Sequence, residues 1–257
     1  MVKYRRLPLE KLVNARDLGG YAAAGGKITK YGVFLRTDCP VEISEKDWQY
    51  LKDYGVTMSI DLRGNDEAAN SPSALADVPG HTYVHLSITG EHSVIRSGEK
   101  RPEFPKEPVK DNFDLGDAYV GFLKEGREWA RKVVTLCAEQ EGCVMFHCFI
   151  GKDRAGVLAA LLLGAVGVGM TDILADYSAS MSLLRPKYDR MRTDFLPKKR
   201  GRPDYCWGFF GSVPESMEAL WYYVQENYGG IPGYLRDCGV TEETLEKLRD
   251  KFLEDAE

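Results

Sequence analysis

Hydrophobic positions along this chain follow two rhythms. Apolar residues spaced by three and four mark helices, and short continuous or alternating runs mark strands. Residues 44–54 predict a helix with Ser44 as N-cap, Asp47 at its third helical position and Gly55 as its stop. Residues 56–62 (VTMSIDL) predict a strand, and 82–86 a weaker one. Leu115, Tyr119, Phe122, Leu123, Ala130, Val133, Val134 and Cys137 recur at helical spacing and predict one long helix over 115–138. Gly142 ends that pattern, and the apolar run 143–146 suits a buried strand. Residues 154–166 are apolar almost all round, as in a helix buried in a core. Residues 171–182 predict another helix with Thr171 as N-cap, and 214–228 and 241–255 close the chain as helices.

Strands interleaved with helices predict an α/β fold, with a central, mostly parallel sheet flanked by helices. No repeat, low-complexity tract or composition break divides the 257 residues, so a single domain over 1–257 is expected. Two polar, proline-bearing stretches, 87–114 and 194–212, interrupt the regular pattern. Loops this long in a compact domain are usually functional or mobile. The second holds Lys198, Lys199, Arg200 and Arg202, which form either an anion-binding wall on a mobile basic lid or a solvated loop.

Composition narrows the function classes. With 34 Lys and Arg against 39 Asp and Glu, the net charge is −5, without the basic footprint of a nucleic-acid binder. The longest apolar stretch, 157–170, contains Gly164, Gly167 and Gly169 and is too short to span a bilayer. The N-terminus has charge but no apolar signal core, so a cytoplasmic location is expected, with signal-independent secretion left open. Six cysteines without a C-x-x-C pair predict reduced thiols rather than a disulfide framework or a zinc site. His81, His85 and His92 lack ligand spacing, so neither metal nor cofactor is expected. The sequence leaves the oligomeric state open.

The chemistry concentrates in Cys143-Val-Met-Phe-His-Cys-Phe-Ile-Gly-Lys-Asp-Arg-Ala-Gly156. Here a buried strand ends at His147, Cys148 follows, a glycine turn comes next, and Arg154 stands at the mouth of the apolar helix. Unpartnered N–H groups and the helix dipole favour anions at such a mouth. A cysteine held there beside Arg154 is favoured as the thiolate. The same loop would cradle phosphate oxygens and aim Cys148 at phosphorus as a nucleophile.

His147-Cys148-x-x-Gly-Lys-Asp-Arg154 resembles the signature loop of cysteine-dependent protein tyrosine phosphatases. More narrowly, it is similar to the bacterial and fungal tyrosine phosphatase family 3 group. That group includes secreted mycobacterial and listerial enzymes acting on phosphoproteins and phosphoinositides. Asn14-Ala-Arg-Asp-Leu-Gly-Gly20, Phe34-Leu-Arg-Thr-Asp38, Asp61-Leu-Arg63, Ile173-Leu-Ala-Asp-Tyr-Ser178, and Tyr228-Gly-Gly through Tyr234-Leu resemble other elements of the group. The resemblance runs from about residue 14 to 240 and implies the phosphatase fold. It also implies a phosphoprotein or phosphoinositide substrate and a loop that accepts phosphate or sulfate.

Cys148 is then the nucleophile, and Arg154 binds two phosphate oxygens through its planar fork. The N–H groups of Phe149, Ile150, Gly151, Lys152 and Asp153 complete the cradle. Gly151 and Gly156 read as positions of special backbone conformation or close packing. His147 organises the loop, since the residue before the nucleophile points to the other face of its strand. The leaving group needs a proton. The Trp-Pro-Asp that usually supplies it in tyrosine phosphatases is absent, so Asp153 is the first candidate acid, with Asp111, Asp114 and Asp117 as alternates. Asp153 could equally pair with Arg16 or Lys152 as a structural carboxylate. Lys152 adds a cation of the kind lipid phosphatases use, and Arg16 and Asp17 brace the base of the site or form a surface turn.

Ala155 departs from the family's usual Thr or Ser, whose hydroxyl hydrogen-bonds the departing thiolate; this implies a slow second step. The leading function is a metal-independent phosphomonoesterase acting on phosphotyrosine, with phosphoserine and phosphothreonine as further substrates. A phosphoinositide phosphatase is the first alternative, and a catalytically weak phosphate-binding module the second. A thiol-redox or arsenate-reducing role ranks last, for want of a resolving cysteine at close spacing.

Overall fold

The computed structural model describes residues 4–88, 115–187 and 211–256. Its strands are β1 (Arg16–Asp17), β2 (Ala22–Ala23), β3 (Lys27–Thr29), β4 (Phe34–Thr37), β5 (Val56–Asp61), β6 (Thr82–His85), β7 (Cys143–His147) and β8 (Leu253–Asp255). The main sheet runs β1-β4-β7-β5-β6, with only β1 antiparallel to its neighbour. A small antiparallel sheet, β2-β3-β8, joins the early chain to its end.

Both faces of the main sheet are covered, which is why its strands read as continuous apolar runs. The two-residue strand period divides them between two cores. Val144 and Phe146 of β7 join Phe34, Met58 and Ile60 in the larger one. Cys143 and Met145 join Leu35, Leu51 and Tyr54 in the smaller. Helix α1 (Glu45–Tyr54) lies on the smaller side, its first turn closed by Ser44 Oγ accepting from Asp47 N–H and its end by left-handed Gly55. Helix α5 (Asp153–Ala165) runs through the larger core with 11 buried residues. This is the predicted mostly parallel α/β sheet flanked by helices.

Several boundaries differ from the sequence pattern. The long helix expected over 115–138 is two helices, α3 (Leu115–Glu125) and α4 (Arg127–Glu139). Gly126 between them leaves helical geometry (φ −92°, ψ 25°), freedom that costs glycine little. Helix α6 (Met170–Leu183) is capped by Gly169 rather than Thr171, which lies inside its first turn. The last segment is helix α9 (Glu242–Phe252), after which the chain turns into β8 because β3 offers it an edge to pair with. Helices α2 (Asn65–Asn70), α7 (Pro214–Tyr228) and α8 (Ile231–Asp237) complete the described elements. The stretches 87–114 and 194–212, with the basic cluster Lys198, Lys199, Arg200 and Arg202, lie outside the described residues except at 87–88 and 211–212. Among the described residues no helix is long and apolar enough to cross a membrane.

Register positions the site. Thr37, His147, Asp61 and His85 are aligned across the carboxyl edge of β4, β7, β5 and β6. Everything that follows these residues emerges at one edge, where open α/β sheets bind ligands.

Candidate active site

The loop from Cys148 to Lys152 leaves β7 and enters α5 with its carbonyls tied down one after another. Phe149 O accepts Cys39 N–H at 3.1 Å. Ile150 O accepts Asn14 Nδ2 at 3.0 Å. Arg36 reaches Gly151 O and Lys152 O with the same nitrogen, both at 2.9 Å. Four consecutive carbonyls are thereby held by the surrounding protein. The N–H groups of Phe149, Ile150 and Gly151 find no acceptor among the described residues. A loop fixed in this way offers its amides to an anion. Gly151 makes the turn possible: its φ is +71°, and a Cβ there would meet Thr37 O at 2.3 Å. Gly156 serves close packing, since a Cβ would approach Tyr177 at 3.1 Å and Arg36 at 3.2 Å.

A buried charge cluster braces the loop from behind. Asp176 of α6 accepts Arg16 Nε at 2.8 Å and also binds Arg36. Arg16 further donates to Asp176 O at 2.8 Å, Ser180 Oγ at 2.9 Å and Asn14 Oδ1 at 2.6 Å. Burial pushes the Asp176 carboxyl up, but the two guanidinium groups outweigh it and hold the acid at about 2. Arg16 therefore reaches the loop through Asn14, and through Asp176 and Arg36. Asp17 lies elsewhere: it accepts Gly19 N–H and Gly32 N–H, both at 2.7 Å, and Tyr54 OH at 2.5 Å, organising the turns before β4.

The chemical groups stand at the front. Cys148 is 1% exposed, at the junction of β7 and α5. Arg154 opens toward Glu67 of α2, its two terminal nitrogens gripping both carboxylate oxygens, one of them at 2.9 Å. Burial pushes the Arg154 guanidinium down, and Glu67 more than restores its hold on the proton. Gly64 N–H also donates to Glu67, at 2.9 Å, so the start of α2 sets where that carboxylate lies. Asp153 accepts Tyr119 OH at 2.5 Å and lies 3.1 Å from Lys152 Nζ. Of its two expected structural partners, Lys152 is present, whereas Arg16 belongs to Asp176. Lys152 is fully buried and donates to Gly211 O at 2.8 Å.

His147 is fully buried, with Nδ1 3.4 Å from Cys148 O and 3.7 Å from Asp61. Burial pushes its imidazole down to about 4, and nearby Asp61 only partly opposes this. Asp61 is likewise pushed up by burial, but its hydrogen bonds from Arg63 hold it at about 2. Of the alternate acids, Asp111 and Asp114 lie outside the described residues, and Asp117 sits in the first turn of α3. Among the described residues no group of three or more His, Cys, Asp or Glu gathers that could hold a metal ion.

Glu67, Arg36, Asp176 and Tyr119 are among the residues whose roles the sequence pattern does not show. Arg36 and Asp176 lie in the recognised segments Phe34–Asp38 and Ile173–Ser178, so a signal existed for them. Tyr119 reads as an ordinary core position of a helix, and Glu67 follows the Asp61-Leu-Arg63 segment in a six-residue helix with no apolar period.

A family model described as tyrosine phosphatase family matches residues 7–254. A tyrosine-protein phosphatase of Nostoc commune is 32% identical over 228 residues, covering 84% of this chain and 72% of the relative. The triple specificity protein phosphatase PtpB of Mycobacterium tuberculosis is 36% identical over 276 residues, covering 93% of this chain and 96% of the relative. With the match running almost from end to end, this chain belongs to the tyrosine phosphatase family, and the protein is a protein-tyrosine phosphatase.

Proposed function

We propose that the protein hydrolyses phosphotyrosine by passing the phosphoryl group first to Cys148 Sγ and then to water. The observation that carries this mechanism is the set of four loop carbonyls held by Cys39, Asn14 and Arg36, which leaves amides beside Cys148 for phosphate. The N–H groups of Phe149, Ile150, Gly151, Lys152 and Asp153 bind its oxygens, and Arg154 adds a planar fork that tightens as charge moves onto them.

In the first step the thiolate of Cys148 bonds to phosphorus and the phosphorus–oxygen bond to the phenol breaks. Asp153 gives its proton to the departing oxygen. In the second, Asp153 takes a proton from water as that water attacks phosphorus and the sulfur–phosphorus bond breaks. Cys148 and Asp153 then return to their starting states. His147 supports the loop as a neutral ring, and Arg16 braces it through Asn14, Asp176 and Arg36. Asp17 supports the chain entering β4.

A nucleophile this deeply placed favours a phosphate on a long, flat side chain, so phosphotyrosine should be preferred to phosphoserine and phosphothreonine. Lys152, the cation that would favour phosphoinositides, is buried against Asp153 and Gly211 O. Phosphate release from a phosphotyrosyl peptide, the matching phosphoseryl peptide and a soluble phosphoinositide tests the assignment. The phosphotyrosyl peptide should give the highest kcat/KM; a faster phosphoinositide would replace the protein substrate with a lipid one.

A further inference from the structure

Asp153 does not offer its two carboxylate oxygens equally. Oδ1 accepts Tyr119 OH at 2.5 Å and lies 3.1 Å from Lys152 Nζ. Oδ2 has no hydrogen-bond partner among the described residues, and the side chain is 26% exposed. Tyr119 itself is fully buried on α3. Its ring meets Tyr177 edge-on at 5.8 Å and stacks on Phe122 at 6.3 Å, so it has little freedom to turn. The Tyr177 hydroxyl, from α6, lies 2.7 Å from the Tyr119 hydroxyl.

A tyrosine hydroxyl has one proton. Tyr119 gives it to the carboxylate, so its oxygen accepts from Tyr177, and the chain runs Tyr177 to Tyr119 to Asp153. Burial raises both hydroxyls well above their ordinary range, which keeps them donors rather than phenolates. Three helices converge on this carboxylate: α3 brings Tyr119, α6 brings Tyr177 behind it, and α5 carries Asp153 beside Lys152 and Arg154.

We propose that Tyr119 is a positioning residue that pins Oδ1 of Asp153 and leaves Oδ2 to carry the proton to the leaving group and back from water. This rests on the reading of Asp153 as the general acid. With the Tyr119 hydroxyl donating to Oδ1 and the Lys152 ammonium 3.1 Å from it, the acid proton is left to Oδ2. Fixing the carboxyl's rotation also removes a search that would otherwise precede proton transfer. Tyr177 holds Tyr119 in the donating orientation.

The test is the leaving-group dependence of kcat/KM for aryl phosphates whose phenols have pKa values from about 7 to about 10, since kcat/KM reports the transfer to Cys148 even where hydrolysis of the phosphocysteine limits kcat. Its readout is kcat/KM on p-nitrophenyl phosphate divided by kcat/KM on phenyl phosphate. A ratio cancels any loss of folded enzyme, so partial misfolding cannot mimic the result. Asp153→Asn should raise the ratio by about 100-fold, the scale of a lost general acid. Tyr119→Phe should raise it by about tenfold, and Tyr177→Phe by less. Tyr119→Phe placed on Asp153→Asn should add nothing.

A wild-type ratio in Tyr119→Phe, beside a raised one in Asp153→Asn, overturns the positioning role and leaves the acid in place. A further rise in the double variant also overturns it. A wild-type ratio in Asp153→Asn overturns the acid assignment itself, and the positioning role with it.

Discussion

Arg154 and Glu67 meet fork to fork, two guanidinium nitrogens on two carboxylate oxygens, across the space between α5 and α2. Five N–H donors are available on a guanidinium, so this pairing leaves others for phosphate. Glu67 is held in turn by Gly64 N–H. It fixes the plane in which Arg154 meets the substrate.

Removing that restraint should impair catalysis more than folding. Glu67→Gln is expected to lower kcat/KM on p-nitrophenyl phosphate by about 10- to 100-fold, the scale of a misplaced binding group. Its melting temperature should stay near wild type. Steady-state kinetics beside a thermal melt decide the point; unchanged kcat/KM would show that Arg154 is oriented by something else.

Gly151 should tolerate no side chain. Alanine would need both the +71° φ and room now occupied by Thr37 O, 2.3 Å from its Cβ. Gly151→Ala should therefore shift the loop, with kcat/KM falling by about 100-fold while the circular dichroism stays native. An active Gly151→Ala enzyme would mean that the cradle is not held by this turn.

Asp176 carries the electrostatics of the loop's support. Its carboxyl is held at about 2 in the folded protein against 3.8 ordinarily, so its contribution is complete above about pH 4 and lost as pH falls through about 2. That contribution is roughly 2 kcal/mol. Asp176→Asn leaves Arg16 and Arg36 buried without their counter-charge and should cost about 3–5 kcal/mol at pH 7. Urea midpoints between pH 7 and pH 2.5 should fall less steeply for the variant than for the wild type. Parallel curves would remove Asp176 from the acid sensitivity of the fold.

Ala155 stands, fully buried, directly after Arg154. Without a hydroxyl there to stabilise the departing thiolate, hydrolysis of the phosphocysteine should be the slower step. Rapid-quench kinetics should show a burst of p-nitrophenol, and Ala155→Thr should raise turnover. A linear trace, or no gain from threonine, would place the slow step elsewhere.

The legible parts of this fold were the ones written in local chemistry. Ser44 and Gly55 announce the two ends of α1 through cap geometry, and 143–146 announces a strand buried on both faces. The main helical error came from Gly126, which interrupts a perfectly periodic apolar pattern by leaving helical geometry. Strands β1 to β3, of two or three residues, are too short for any periodicity to show. At the site, Cys148, Asp153 and Arg154 stand together in one motif and could be named from it. Their partners come from distant segments, Glu67 from α2 and Tyr119 from α3, and Asp176, which braces the loop through Arg16 and Arg36, comes from α6. Such pairings exist only once the chain has folded. Lys152 shows the converse, a motif cation whose contacts with Asp153 and Gly211 turn out to be internal.

The most direct measurement is hydrolysis of p-nitrophenyl phosphate in EDTA, wild type beside Cys148→Ser. Activity that survives the chelator and disappears in Cys148→Ser is the predicted result. Equal activity in both enzymes, or activity abolished by EDTA, would contradict metal-independent phosphoryl transfer through Cys148.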